Sequence, residues 1–253
     1  MPVLFAGPAM AAPYNWAGFY VGLNGGGAWS STHQTTTVPC TEPAGVSVAY
    51  FCDDTGFGAA NGAAVASAYS GSFSGSGFSG GAEAGYNWQT GAAVYGVELD
   101  LESLPRASAQ SAGTFPVGYT FPAGTPFAGS TTVSADWLFT ARGRLGWAFN
   151  NLLVYGTGGL AETRLKTSSN YADSFGGVGA WSSVAEKTGW TAGAGLEYAL
   201  GKSWSVKAEY LFVKFGSVTA SGTVGGPFGY STALSTSNDL TVQIARAGVN
   251  YKF

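Results

Sequence analysis

Residues 240–253, LTVQIARAGVNYKF, alternate between two kinds of side chain. Every second residue from Ala245 to Phe253 is apolar, and the residues between them are polar or small. Successive side chains of a β-strand point to opposite faces, so this period of two predicts a strand with one apolar face. The pattern runs into an aromatic last residue, where a soluble domain usually frays. We therefore expect the C-terminal residue to be part of the structure.

The composition excludes several classes of protein. The 253 residues include 40 glycines without a Gly-X-Y period, which excludes collagen. Charged residues make up 10%, far below the roughly 25% of a soluble domain, while 15% are aromatic, unlike a charged disordered chain. A net charge of −3 without a basic patch argues against nucleic-acid binding. Much of the surface is therefore expected to face something other than water.

One N-terminal stretch is long enough to cross a membrane as a helix. Residues 3–23 carry no charge, but Pro8 and Pro13 interrupt them. The first part is typical of the end of a secretory signal, with an A-x-A cleavage site at residues 9–11. The sequence thus predicts a residual signal segment over 1–12 and a barrel domain over 13–253. No other segment could span as a helix, so a membrane protein of this sequence must be a closed barrel.

The alternation recurs along the whole chain. Seven segments show it clearly, at residues 19–30, 78–88, 93–101, 137–149, 190–200, 204–212 and 240–253. An eighth strand is predicted over 152–163, after the Asn150-Asn151 turn. A two-residue turn there would point Val154 and Leu160 outward and place Glu162 on the same face. Either the turn is longer, or Glu162 lies beyond the hydrocarbon.

The connections alternate in length. Short turns follow the second, fourth and sixth strands, and long segments rich in Gly, Ser, Thr and Pro occupy about 31–76, 103–135, 165–187 and 216–238. Short turns at one end and long loops at the other are typical of outer-membrane barrels. The predicted fold is all-β, an eight-stranded antiparallel up-and-down transmembrane β-barrel with short periplasmic turns and long extracellular loops.

Six tryptophans mark the expected membrane interfaces. They fall at strand ends on the apolar face, in a long-loop group of Trp29, Trp137 and Trp190 and a short-turn group of Trp88, Trp147 and Trp204. Two such groups are typical of the aromatic girdles of a membrane barrel. A water-soluble barrel would carry its charges outside, whereas here the charges lie on the face opposite the tryptophans.

The strand segments resemble a known family. NWAGFYVGLNGGGAW, GGAEAGYNWQ, GVELDL, RGRLGWAF, LVYGTGGLA, GLEYAL, SVKAEYLF and GVNYKF are similar to segments of the alphaproteobacterial outer-membrane immunogenic proteins, porin-family members of the OmpA-like eight-stranded barrel superfamily. The resemblance implies a surface antigen in the outer membrane of a Gram-negative cell. It also implies that the barrel-assembly machinery reads Val249, Tyr251 and Phe253. Some relatives in this family are described as hemin binders.

The inward face is expected to hold a lumen charge network. Its members are Glu83, Glu98, Asp100, Arg142, Arg144, Glu197, Lys207, Glu209 and Arg246. An eight-stranded barrel is narrow enough for side chains to fill it, and confined charges need partners. The near balance of charge favours a salt-bridge plug over a charged constriction in a small pore.

The two cysteines lie in one polar stretch. An exported chain reaches an oxidising compartment, so Cys40 and Cys52 are expected to form a disulfide within the first long loop. One histidine and no second cysteine pair give little support to a metal site, and no cofactor is expected.

Three functions remain open. The favoured one is a structural, surface-exposed barrel that supports envelope integrity, in contact with lipid and lipopolysaccharide. The alternatives are a small diffusion porin and a loop-mediated adhesin or binder of a hemin-type ligand, with host contacts through the loops. Catalysis is not expected, because His33 is the only histidine and its sequence neighbours Ser30 and Ser31 do not make a triad.

Overall fold

The computed structural model describes residues 14–40, 50–51, 59–116 and 122–253. Their elements, in chain order, are β1 (Gly18–Thr37), α1 (Ala59–Ala68), β2 (Gly71–Thr90), β3 (Ala93–Glu102), β4 (Ala107–Thr114), β5 (Pro126–Phe149), β6 (Leu152–Asp173), β7 (Val178–Ala199), β8 (Trp204–Phe215), β9 (Val218–Gly225), a 3-10 turn (Pro227–Gly229) and β10 (Ser231–Lys252). In this part of the chain no helix is long and apolar enough to cross a membrane. The predicted signal segment lies outside the described residues.

The strands form one closed antiparallel ring. Neighbours follow chain order, and β10 closes the ring by pairing with β1 from Tyr20–Lys252 up to Thr37–Ser235. Two of the ring positions are each occupied by two strands in succession. β4 follows β3 as the neighbour of β5, and β9 follows β8 as the neighbour of β10. The ring therefore has eight positions, which confirms the predicted eight-stranded barrel.

The turn after β5 settles the open face assignment. Asn150 adopts a φ of 55°, the left-handed conformation of a tight hairpin, and Phe149 pairs directly with Leu152. The turn therefore has two residues, and Val154 and Leu160 point outward with 41% and 63% of their surface exposed. Glu162 is exposed on the same face. It follows Leu160, the last large apolar side chain of that face, and so lies beyond the apolar belt.

The expected long loops are largely strand, which corrects the prediction. β5, β6, β7 and β10 have 22 to 24 residues, about twice the roughly 9–11 that cross a membrane. The upper half of the barrel therefore stands above the bilayer. The alternation continues there with its polarity reversed. On β10, Leu240, Val242 and Ile244 are buried inside, while Thr241 and Gln243 lie on the outward face.

The reversal follows from the solvent on each side. In the bilayer the outer wall meets hydrocarbon, so apolar side chains point outward and polar ones fill the lumen. Above the bilayer the outer wall meets water, and the interior is closed by apolar packing as in a soluble domain. In this upper half the outward positions hold many Ser and Thr residues. Segments of that composition resemble loops, which is why the sequence predicts loops where the structure has strands.

The predicted girdle residues face the outside of the barrel. Five of them expose 44% to 55% of their surface: Trp29, Trp88, Trp147, Trp190 and Trp204. The sixth, Trp137, is half-buried and lies at an irregularity in the pairing of β5 with β6, between Ala135 and Leu138. On β1 the outward apolar set runs from Phe19 to Trp29, which gives the height of the belt on that strand.

Candidate functional site in the barrel lumen

Ten charged side chains meet inside the membrane-spanning half of the barrel. They are Glu83, Glu98, Asp100, Glu102, Arg142, Arg144, Glu197, Lys207, Glu209 and Arg246, and none exposes more than 4% of its surface. Each stands at an inward position of its strand, since alternate residues share a face. The structure thus brings together all nine residues of the predicted lumen charge network and adds Glu102.

Arg246 is the hub of the network. From β10 its guanidinium reaches Asp100 at 2.6 Å and Glu102 at 3.0 Å on β3. On its other side it lies 2.6 Å from Glu209 on β8 and 3.6 Å from Glu83 on β2. One guanidinium therefore ties strands from opposite parts of the ring together, which is the use for which its rigid fork of donors is suited.

Two further cations complete the central layer. Lys207 Nζ lies 2.5 Å from Glu83 and 3.7 Å from Glu98. Arg142 pairs with Glu98 and lies 3.2 Å from Glu209. The three cations thus share their carboxylates in one continuous network.

Arg144 forms a lower layer with tyrosines. It pairs with Glu197, and its guanidinium lies over the ring of Tyr155 at 3.7 Å from the centroid. Tyr155 donates to Glu209 at 3.1 Å, and Tyr20 donates to Glu98 at 2.6 Å. These hydroxyls link the two layers of charge across the barrel.

The three carboxylates of Glu83, Glu98 and Asp100 lie close enough together to hold a metal ion. Protein cations already lie against them, since Lys207 contacts the first two and Arg246 contacts the third. A metal ion in the same place would be repelled by both side chains. The arrangement is therefore suited to internal ion pairing rather than to metal binding.

Glu102 was missed for a reason that the sequence contains. It is the next inward-facing position after Glu98 and Asp100, because every second residue of the strand points into the lumen. The predicted strand ended one residue earlier, at Leu101. The structure extends β3 to Glu102, whose partner is Arg246. Following the period of two by one more residue would have found it.

The lumen is also filled above the charges. An apolar layer of buried side chains spans the barrel there, formed by Ala28, Ala135, Leu138, Ala161, Leu165, Leu211, Val213, Phe215, Val218, Leu240, Val242 and Ile244. Below the charges, Trp16 exposes only 2% of its surface and packs with Val94, Leu153 and Tyr155. Buried side chains therefore pack both above and below the charge network.

A second buried cluster fills the extracellular mouth. This extracellular aromatic cluster comprises Tyr50, Phe51, Val65, Tyr69, Phe115, Phe127, Tyr171, Trp181, Ala220, Val224 and Leu234. Tyr50 and Phe51 come from the first long connection, and their backbone N–H groups donate to Thr232 Oγ1 at 2.8 and 3.0 Å. These two residues therefore insert into the top of the barrel.

Asp173, at the end of β6, anchors this insertion. Its carboxylate accepts hydrogen bonds from Tyr50 Oη at 2.8 Å and from Tyr171 Oη at 2.8 Å. The backbone N–H groups of Phe175 and Gly177 donate to its other oxygen, each at 2.9 Å. One side chain thus fixes both the inserted segment and the turn that follows β6.

The tyrosines of the mouth give a prediction of pH dependence. Burial raises the pKa of Tyr50, Tyr69 and Tyr171, and Asp173 raises the pKa of the first and third further. Each of these tyrosines therefore has a higher pKa in the folded state than the value of about 10 in the unfolded chain. The resulting stabilisation of the fold is fully present below pH 10, and it is lost as the pH rises through the folded-state pKa. Tyr50→Phe should then leave the phenolate absorbance at a pH of about 11 unchanged. A clear fall in that absorbance would contradict the assignment.

Cys40 lies just after β1, and it is disulfide-bonded. Cys52, the other cysteine of the sequence, lies outside the described residues. The pairing of the two stays a prediction. Protein taken from cells should show no thiol that reacts with an alkylating reagent under denaturing conditions, and reduction should expose two. Because Tyr50 and Phe51 lie within the loop that would be closed, reduction should loosen the mouth and leave the membrane half folded.

His33 stands on the outer wall above the belt. Its Nδ1 lies 3.1 Å from Ser72 Oγ on β2, and both side chains are exposed. Asp239 faces His33 in the β1–β10 register, but among the described residues no ion pair joins them. Its sequence neighbours Ser30 and Ser31 do not make this contact.

Comparison with known proteins agrees with this architecture. The family model for the outer membrane protein beta-barrel domain matches residues 2–253. The chain belongs to this family. The 31 kDa outer-membrane immunogenic protein of Brucella melitensis is 35% identical over 179 residues, which cover 70% of this chain and 67% of the relative. The 25 kDa outer-membrane immunogenic protein of Brucella abortus is 27% identical. The aligned residues cover 97% of this chain and 84% of the relative.

Solved structures of outer-membrane proteins also align with the chain. The crystal structure of OprG from Pseudomonas aeruginosa has a TM-score of 0.45 and 13% identity, over 94% of this chain and 96% of that one. The outer membrane protease OmpT from Escherichia coli has a TM-score of 0.49 and 9% identity. That alignment covers 96% of this chain and 99% of the protease. The family and its curated relatives establish an outer-membrane β-barrel protein of a Gram-negative cell, in the immunogenic outer-membrane protein group.

Proposed function

We propose that this protein is a closed structural barrel that supports the outer membrane and presents its upper half at the cell surface. The observation that carries the proposal is the filling of the lumen at three levels: the lumen charge network, the apolar layer and the extracellular aromatic cluster. A diffusion pore needs a continuous path for water and ions. A layer of buried aliphatic side chains across the barrel opposes such a path, because an ion there would lose its hydration without compensation.

The diffusion porin is the second candidate, and its support is the charged lumen itself. A ring of charged side chains can select ions in a pore. In this barrel, however, the cations contact the carboxylates directly, as in the pair of Arg246 with Asp100 at 2.6 Å. Charges so engaged are poor ligands for a passing ion.

Conductance distinguishes the two candidates. Purified protein, folded in detergent and inserted into a planar lipid bilayer, should give no steady single-channel current. Insertion is checked in parallel by the shift in gel mobility on heating and by protease protection in vesicles made from the same lipid. A known trimeric porin prepared in the same way serves as the positive control. Steady, reproducible channels from inserted protein would refute the closed barrel and favour the porin.

Surface contacts are the other part of the proposal. The upper halves of the long strands present polar side chains such as Ser182, Ser237 and Asp239 to water, and the connections above them carry little charge. A hemin-type ligand commonly needs an axial side chain, and the sole histidine, His33, already contacts Ser72. We therefore favour contacts through the surface of the upper barrel over a bound cofactor.

We also propose a non-catalytic role, which the chemistry at the rim supports. The His33 and Ser72 pair lacks a carboxylate partner among the described residues. The proposed partners are lipid and lipopolysaccharide around the apolar belt, host molecules or ligands at the surface, and the assembly machinery during biogenesis. For the last of these, Val249 is exposed, and Tyr251 and Phe253 stack edge to face at 5.1 Å at the end of β10.

A further inference from the structure

The pairing of β1 with β10 closes the ring, and we call it the closing junction. Among the described strands, the chain joins each of the eight ring positions to the next, except the last position, β10, and the first, β1. Backbone hydrogen bonds and side-chain contacts therefore hold these two strands together. At the short-turn end of the barrel the junction begins with the Tyr20–Lys252 pair, next to which Phe253 N–H donates to Phe19 O at 3.0 Å.

The residues just before β1 fold back into the short-turn end of the barrel. Residues 14–17 form this segment, which we call the N-terminal strap. Gly18 follows the strap with a φ of 131°, a conformation that favours glycine, and it turns the chain from the lumen into the wall. Within the strap, the rings of Tyr14 and Trp16 meet edge to face at 4.7 Å. The two rings therefore pack as a unit.

The first residues of the strap contact the end of β10. The ammonium of Lys252 lies over the ring of Tyr14, 4.4 Å from its centroid, and donates a hydrogen bond to Asn15 O. A cation over an aromatic face and a charge-assisted hydrogen bond are both attractive. Beside this contact, the rings of Phe19 and Phe253 lie 5.6 Å apart across the closing junction. The strap therefore binds β10 at the point where the junction begins.

The strap is anchored on other strands by its tryptophan. Trp16 exposes 2% of its surface and packs with Val94 of β3, Leu153 of β6 and Ala199 of β7. Its backbone N–H donates to Gln89 Oε1 at 2.7 Å. Large aromatic side chains dominate the energetics of a packed core, so this contact is the firm end of the strap. The strands β3, β6 and β7 take no part in the closing junction.

The two ends of the strap thus connect the closing junction to the rest of the ring. If β10 moves away from β1 at the short-turn end, Lys252 must leave Tyr14 and Asn15, which Trp16 holds in place. Opening then costs these contacts in addition to the hydrogen bonds of the ladder, so the junction is open for a smaller fraction of the time. We propose that the N-terminal strap holds the closing junction shut after the ring has formed. This inference does not depend on whether the barrel conducts ions.

Hydrogen exchange measures such opening, because a hydrogen-bonded amide exchanges when its bond is broken. Phe253 N–H points across the closing junction, and so do those of Val21 and Tyr251, because hydrogen-bonded pairs alternate along an antiparallel ladder. Ala148 N–H, which donates to Ala92 O at 2.7 Å, is the comparison amide at the same end of the barrel. Exchange of these four amides is followed by NMR in protein refolded from urea into detergent, so the assembly machinery plays no part.

Lys252→Met removes the ammonium and keeps a long side chain. The three junction amides should then exchange about tenfold faster, because the contacts with the strap are lost. The Ala148 amide should stay within about threefold of its wild-type rate. Lys202→Met is the matched control. It removes an exposed ammonium from the turn between β7 and β8, at the same end of the barrel, and should leave all four rates unchanged.

Trp16→Ala removes the anchor and should also speed exchange of the junction amides about tenfold, because the strap is then no longer fixed to the other strands. Ala148 packs against the same cluster as Trp16. A tryptophan that only filled space would therefore protect the amide of Ala148 at least as strongly as that of Phe253. Trp181→Ala makes the same replacement in the extracellular aromatic cluster and should leave the junction amides unchanged.

Unchanged exchange of the junction amides in Lys252→Met would overturn the proposal. So would an acceleration at Ala148 equal to that at Phe253 in either strap variant. Lys252→Met leaves the buried anchor intact, so it decides the question alone if Trp16→Ala does not refold.

Discussion

Val97→Lys should destabilise the barrel by about 2–4 kcal/mol, the cost of a lysine on the lipid face at the bilayer midplane. Val97 lies near the middle of β3, points outward and exposes 53% of its surface. Its neighbours on the same face, Tyr95 and Leu99, are exposed to a similar degree, and neither carries a negative charge that could pair with the ammonium. The measurement is the free energy of unfolding in urea, with the protein folded into lipid vesicles of defined thickness.

Val184→Lys is the matched control. Val184 is also 53% exposed and points outward, but it lies on the upper half of β7, above Trp190. A lysine there meets water and stands opposite Lys166 in the β6–β7 ladder, so the change in free energy should stay within about 1 kcal/mol. If the two substitutions had equal effects, the bilayer would not be confined to the lower half of the barrel. The membrane boundary at the level of Trp29, Trp137 and Trp190 would then be wrong.

The lower half of the barrel could be predicted from sequence because one rule governs it. Apolar residues face lipid and polar residues face the lumen, so a period of two identifies both the strands and their faces. At Glu162 the same rule gave a conflict, and the structure shows that the conflict marked the end of the belt. The upper half obeys the opposite rule. There, an apolar residue such as Leu165 points inward and a polar residue such as Lys166 points outward. If lipid is expected on the outside, this arrangement predicts a loop and not a strand.

The lumen network could be predicted in membership but not in geometry. The period of two identified nine of its charges, because the predicted strand segments hold only two others, Glu162 and Lys252. That period could not reveal that Arg246 reaches four carboxylates or that Tyr155 lies under Arg144, since both depend on the stagger of strands across the ring.

Arg246→Met should destabilise the barrel by about 3–5 kcal/mol, the typical cost of breaking a buried ion pair by removing one partner. The methionine fills similar space, so the loss is mainly one of charge. Four carboxylates within 3.6 Å of the guanidinium would lose their contact with it. The network has six carboxylates and four cations before the change, so no spare cation can take its place. Urea unfolding in vesicles gives the free energy, and heating gives the fall in the temperature of the gel-mobility shift.

Two controls show whether burial is the cause. Lys166→Met also breaks an ion pair, that of Lys166 with Asp136 at 2.7 Å, but both side chains are well exposed, so the expected loss is about 0–1 kcal/mol. Adding Glu102→Gln to Arg246→Met removes the carboxylate whose ion pair is with Arg246, at 3.0 Å, and should recover part of the lost stability. Arg246→Met should still conduct no current, because the apolar layer above it is unchanged. If Arg246→Met lost no more stability than Lys166→Met, the network would add nothing to the stability of the barrel. If Arg246→Met alone opened channels, these charges and not the apolar layer would keep the barrel closed.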